Sequence, residues 1–358
     1  MPVHTHRWSS VVYVASASDF IRRDGEGNSL LNSRTAGPPP ATPTVQWTEL
    51  LPPHSVENIS NHHGIERTGG NKESVAVTQN VELLASYWTI AGGAMPHTDH
   101  EYSPFDFKDR VEAAARAGFK GMGIWHADLD HILKSGSLKE MKRILDDNGM
   151  KYLELEFLKD WFVDGEKKKQ SDIEKKKLLE ASAALDAKHI KVGDFDRTIC
   201  PMPHLIESFA QLCTEAANYG ATIGFELMPF AMIDTLKDAL AMVEGAGAKN
   251  GGIILDTWHL AKLGIPFEEV ARMPKQYLIS VELNDGTYQA PWSLFEDTIN
   301  HRRLCGEGEF EVPRFIECVL KTGYTGPFGI EVLCQELRQM PLGELTARAF
   351  STTMSQFS

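Results

Sequence analysis

Thr222-Ile223-Gly224-Phe225-Glu226-Leu227 is a short apolar stretch broken near its end by one carboxylate. The pattern repeats three times downstream. Gly252-Ile253-Ile254-Leu255 runs into Asp256, Ile279-Ser280-Val281 into Glu282, and Phe328-Gly329-Ile330 into Glu331. A buried carboxylate is unfavourable unless it is paired or bound to a metal. One acid in a strand is ordinarily outward-facing or salt-bridged. Four at corresponding ends of consecutive strands point to a shared site.

Outward from this stretch, strand-like and helical patterns alternate. Strands are predicted at 84–90, 121–125, 152–158, 189–193, 222–227, 252–256, 278–283 and 328–333. Helices are predicted between them at 105–117, 138–148, 172–187, 203–219, 236–245, 267–273 and 312–322, with a last one at 342–356. Gly118, Gly149, Gly220 and Gly323 sit where left-handed helix caps belong. Strands alternating with helices indicate a parallel sheet. Eight such units over residues 82–358 predict a (β/α)₈ TIM barrel. A doubly wound sheet fits less well, because no G-x-G-x-x-G follows the first strand and eight repeats overfill it.

Residues 1–80 read differently. They are rich in Ser, Pro, Asn, His and Gly, as in Gly37-Pro38-Pro39-Pro40, and their apolar runs are short, such as Val11-Val12-Tyr13-Val14. Such a stretch buries too little apolar surface to offset its chain entropy, so it is expected to be a largely disordered, low-complexity extension. It lacks the order of features of an export signal, and an over-extended start is one reading of it.

The formal net charge of −13 disfavours nucleic-acid and membrane-surface partners, which need a clustered basic face. No apolar run reaches membrane-spanning length. The five cysteines form no C-x-x-C pair, which suits reduced thiols in a cytoplasmic protein.

In TIM barrels the active site lies at the C-terminal strand ends. Glu226, Asp256, Glu282 and Glu331 are therefore candidate ligands of one divalent ion, and oxygen-only ligation suits Mn²⁺ or Mg²⁺. His259, three residues past Asp256, is placed to reach a substrate hydroxyl or relay a proton, or else to cap a helix. His126 and Glu156 end strands two and three and are candidates for substrate binding; Glu154 shares the parity of Glu156, so one of the two lies deeper. Lys191 and Asp194 read equally well as a solvated pair. Trp125, Trp258 and Trp292 offer flat faces to a sugar or pack in the core. The long segment 286–309 reads as a lid, with Arg302 or Arg303 as a polyhydroxyl or anion contact.

These residues resemble the sugar phosphate isomerase/epimerase group of xylose isomerase-like barrels. That group carries a Glu ending strand five (here Glu226), Asp-x-x-His after strand six (Asp256, His259), a His and polar tail on strand seven, a G-E-G-x turn (Gly306-Glu307-Gly308-Glu309) and a Glu on strand eight (Glu331). Glu282 stands where the group has histidine, which implies an all-carboxylate shell. The resemblance implies a metal that polarises a carbonyl and acidifies the neighbouring C–H, with Glu226 and Glu331 as the acid/base pair and His259 assisting. It implies an isomerase or epimerase of a keto-sugar or polyol-derived ketone acting through an enediolate. The alternative is a lyase of the same barrel group, a dehydratase or the catalytic subunit of a deglycosidase acting on a 3-keto-glycoside. The expected partner is a small carbohydrate or glycoside, with a homo-oligomer or second subunit possible. The apurinic endonuclease branch would need more histidines and a basic face.

Overall fold

The computed structural model describes residues 81–357 and five short strands before them. Ser10–Val14 pairs antiparallel with Thr44–Thr48, and Phe20–Asp24 lies between Ser29–Asn32 and His54–Asn58. The expectation of disorder over 1–80 otherwise falls outside the described residues.

Eight parallel strands close into a barrel: β1 (Leu83–Ala85), β2 (Gly121–Trp125), β3 (Tyr152–Leu158), β4 (His189–Val192), β5 (Ile223–Glu226), β6 (Gly251–Asp256), β7 (Leu278–Leu283) and β8 (Phe328–Ile330). Each pairs with its sequence neighbours, and β8 pairs with β1 to complete the ring. Their outer faces are apolar and pack under the helices, among them α2 (Phe107–Ala117), α4 (Leu138–Asp147), α5 (Gly165–Leu185), α6 (Met202–Ala217), α7 (Leu236–Ala246), the short α9 (Phe267–Val270), α11 (Val312–Lys321) and α12 (Leu342–Met354). Local chemistry sets their ends. Ser137 and Thr235 accept backbone N–H bonds at the starts of α4 and α7, and Gly118, at φ +114°, closes α2.

The structure corrects two features of the predicted outline. The expected strand 84–90 stops at Ala85, and its second half is the short helix α1 (Tyr87–Ile90). Two more helices start directly at strand ends without turn residues, α3 (His126–Leu133) and α8 (Thr257–Leu263), and another, α10 (Leu294–Asn300), lies inside the expected lid.

The inside of the barrel is charged. Glu154, Glu156, His189, Lys191, Glu226, Asp256 and Glu282 are all buried there or at its mouth. Two glycines make the room. A Cβ on Gly123 would lie 2.3 Å from Glu156 Oε1, and one on Gly329 would crowd Glu282 Cγ and Ser86 Oγ.

Candidate active site

Strand register decides which acids meet. Glu282 pairs with Asp256 on β6 and with Gly329 on β8. Side chains repeat every second residue along a strand, so Asn284 stands one layer above Glu282, level with Glu331. The upper layer brings Glu226, Asp256, His259 and Glu331 together, with one potential ligand atom from each lying within 4.8 Å of the others. Glu282 is outside that group. It lies deeper, accepting from Lys191 Nζ at 2.6 Å and Ser86 Oγ at 3.0 Å.

Asn284 takes the upper position on this strand. Its Nδ2 donates to Asp256 Oδ2 at 2.7 Å and to the Glu331 carbonyl at 3.0 Å, while its Oδ1 is buried without a partner. Asp256 caps α8: its Oδ1 accepts from His259 N at 3.0 Å, which fixes His259 beside the acids. His259 Nε2 is 3.4 Å from Glu226 Oε1.

Two buried cations thread the acids. Lys191 Nζ lies 2.9 Å from Glu331 Oε1, 3.3 Å from Glu156 Oε2 and 4.0 Å from Glu226 Oε1, besides its bond to Glu282. It is no solvated surface residue: its side chain is 1% exposed, and Asp194 instead accepts backbone N–H bonds from Asp196, Thr198 and Met232. Arg302 Nη1 reaches Asp256 Oδ2 at 2.9 Å and Glu331 Oε2 at 3.1 Å. Burial alone disfavours the charge on Glu226, but Lys191, His259 and Arg302 hold its pKa down to about 2. Burial raises Glu156 and Glu282 well above the usual carboxylate range, and raises Glu331 too. Lys191 is raised despite burial, because Glu156, Glu226, Glu282 and Glu331 surround it.

The residues fit a divalent ion. Glu226 Oε1 and Asn284 Oδ1 are buried oxygens with no hydrogen-bond partner, and acids outnumber cations around them. Above them opens a cavity of about 300 Å³. Its floor carries Glu156, Lys191, Glu226, His259, Arg302 and Glu331; Trp88, Trp125, Phe157, Phe195 and Phe295 are among its walls.

Other expected contacts lie elsewhere. His126 opens α3 and faces Glu174 at 3.6 Å, outside the cavity lining. Trp258 is fully buried behind the site, with Arg302 and Lys262 over its ring. Trp292 is 44% exposed and stacks on His301. Arg303 bonds the Glu307 carbonyl. Of the strand-three acids, Glu156 lines the cavity and Glu154 lies deeper, 3.4 Å from His189. The Gly306–Glu309 turn is pinned by Asp285, which accepts from Gly306 N and Phe310 N.

The sequence model described as xylose isomerase-like TIM barrel matches residues 111–351. The chain belongs to the xylose isomerase-like TIM barrel family. Within this family it is similar to 3-dehydroshikimate dehydratase of Pseudomonas aeruginosa, 26% identical over 237 residues, which are 65% of this chain and 37% of that protein. The chain thus spans little more than a third of the length of that relative. It is also similar to inosose isomerase of Halalkalibacterium halodurans, 23% identical over 239 residues, 64% of this chain and 83% of the relative. Among solved structures, the IOLI protein with a bound zinc atom superposes with a TM-score of 0.67 at 20% identity, over 77% of this chain and 98% of that one. D-psicose 3-epimerase of Clostridium cellulolyticum, solved with D-tagatose, gives 0.58 at 15% identity, over 77% and 99%. The xylose isomerase-like barrel enzymes therefore include relatives named for isomerisation and for dehydration. No described helix is long and apolar enough to cross a membrane.

Proposed function

We propose that this barrel is a lyase that removes water from a six-membered cyclic hydroxyketone, with Glu226 as the base. The observation that carries this reading is the inequality of the two glutamates. Glu331 is held through Oε1 by Lys191 at 2.9 Å, a bond that does not depend on Arg302, whereas Glu226 Oε1 has no hydrogen-bond partner. Epimerisation with a glutamate on each face needs two free carboxylates. Elimination needs one base and one acid.

Glu226, Asp256, Asn284 and Glu331 would hold the metal, with His259 beside them; a bound divalent ion supplies Lewis-acid polarisation of a substrate carbonyl. Glu226, ionised, takes the proton from the carbon next to that carbonyl. Glu156, which lines the cavity and whose carboxyl burial raises well above the usual range, gives a proton to the departing hydroxyl, which leaves as water. The C–O electron pair leaves with the oxygen, and the C–H pair becomes the new double bond. Proton exchange with solvent resets both acids. Lys191 holds Glu331 and Glu282 in place, and the aromatic walls exclude bulk water from the floor.

The similarity to 3-dehydroshikimate dehydratases supports this reading. Isomerisation of an inosose-like ketone is the second reading, favoured by the 83% of the inosose isomerase that the chain spans. Incubating manganese-loaded protein in D₂O with 3-dehydroshikimate and with an inosose separates the two. A product lighter by one water supports the lyase; solvent deuterium in a product of unchanged composition supports the isomerase.

A further inference from the structure

Arg302 sits on the segment after β7, at the end of α10, yet its guanidinium is buried among the candidate ligands. Nη1 is within hydrogen-bond reach of Asp256 Oδ2 and Glu331 Oε2, and Nη2 lies 3.4 Å from His259 Nε2. Three of the four clustered residues therefore touch this one side chain. Thr298 Oγ1 accepts from Nε at 3.1 Å and from Nη2 at 2.8 Å, and the guanidinium lies 5.1 Å from the centroid of the Trp258 ring.

Asp256 has little capacity left. Its Oδ1 accepts from His259 N, and its Oδ2 accepts from both Asn284 Nδ2 and Arg302 Nη1. A further cation at Oδ2 requires a donor to leave. Asn284 directly follows β7 and is also bonded to the Glu331 carbonyl. Arg302 is the cationic donor, and a second positive charge beside it in a buried site is repelled strongly. Arg302 is thus the donor that electrostatics expels.

We infer that Arg302 is a positioning residue that occupies the cation position of this site and exchanges with the divalent ion. Metal loading withdraws the guanidinium from Asp256 and Glu331 and changes its packing on Trp258. Because Phe295 and Ile299 of α10, seven and three residues before Arg302, line the cavity, the exchange also alters the lid face that meets the substrate. The metal thereby reports its arrival to the substrate pocket. This inference rests on the reading of Glu226, Asp256, Asn284 and Glu331 as metal ligands.

Two measurements test it. The full chain is labelled with 5-fluorotryptophan, the Trp258 fluorine signal is assigned with Trp258→Phe, and Mg²⁺ or Zn²⁺ is added. The expected result is a shift of the Trp258 signal that saturates with metal binding followed by calorimetry. In parallel, Arg302→Met is expected to bind Mn²⁺ roughly tenfold or more tightly than the parent chain. Metal binding that leaves the Trp258 signal in place, or an Arg302→Met affinity equal to or weaker than that of the parent, overturns the exchange while leaving the metal site standing. Absence of binding to parent and variant alike overturns the exchange and the metal reading together. The fluorine measurement needs only the Arg302-containing chain, so a poorly folding Arg302 variant leaves the inference decidable.

Discussion

Lys191 Nζ donates to Glu282 Oε1 at 2.6 Å inside the closed barrel, and neither side chain is more than 1% exposed. The same ammonium reaches Glu331 and Glu156. Removing one partner of such a set leaves an uncompensated buried charge. Lys191→Met is expected to destabilise the protein by about 3–5 kcal/mol. The double variant Lys191→Met/Glu282→Gln should recover part of that loss, since it removes one of the stranded carboxylates. Chemical denaturation of the four proteins of the cycle checks this; a strictly additive result would contradict the pairing.

The two glutamates of the upper layer should behave differently. Glu226→Gln removes the proposed base and is expected to lower kcat by about a hundredfold or more; it also costs stability, since Lys191, His259 and Arg302 favour the Glu226 charge in the folded state. Glu331→Gln should lower stability as well, because Lys191 and Arg302 both lose an anionic partner. Steady-state kinetics and denaturation midpoints, measured on both variants, check the contrast. Equal effects on both quantities would contradict the assignment of one base.

Asn284 is proposed as an oxygen ligand held by its own amide hydrogens. Asn284→Ala is expected to weaken Mn²⁺ binding by about tenfold or more, the scale on which a group ordering a metal site acts. Equilibrium dialysis with elemental analysis checks it, and unchanged affinity would remove Asn284 from the site.

Much of this was legible in the sequence. The barrel followed from the alternation of strand and helix, and Glu226, Asp256 and Glu331 stood out because each interrupts an apolar run. Other residues gave weaker signals. Lys191 sits in a strand of four residues, His189–Val192, too short for period-two alternation to assign a face. Arg302 lies in a loop, where only the closed fold brings it to Asp256. Asn284 was accessible in principle: it is two residues beyond Glu282 and shares its face, but an amide carries no charge to flag burial. The short helices α1, α3 and α8 begin where strands stop, without Gly or Pro between, so the chain gives little local sign of the change.

Burial pushes the thiols of Cys213 and Cys305 up to about 12. A thiol is neutral when protonated, so the folded state keeps protons that the unfolded chain releases above its ordinary thiol pKa. Stability should therefore be level with respect to these groups below about pH 8 and fall as pH rises from about 9 toward 12. Denaturant midpoints across that range, for the parent chain and for Cys213→Ala/Cys305→Ala, check the sign: the variant should fall less steeply. A steeper fall in the variant would contradict it.

The proposed dehydration turns on the fate of one C–O bond. Manganese-loaded protein is mixed with 3-dehydroshikimate in D₂O, beside Glu226→Gln, and the products are weighed by mass spectrometry. A product lighter by one water is expected to form with the parent chain and not with Glu226→Gln. A product of unchanged composition carrying solvent deuterium, with no loss of water, would contradict it.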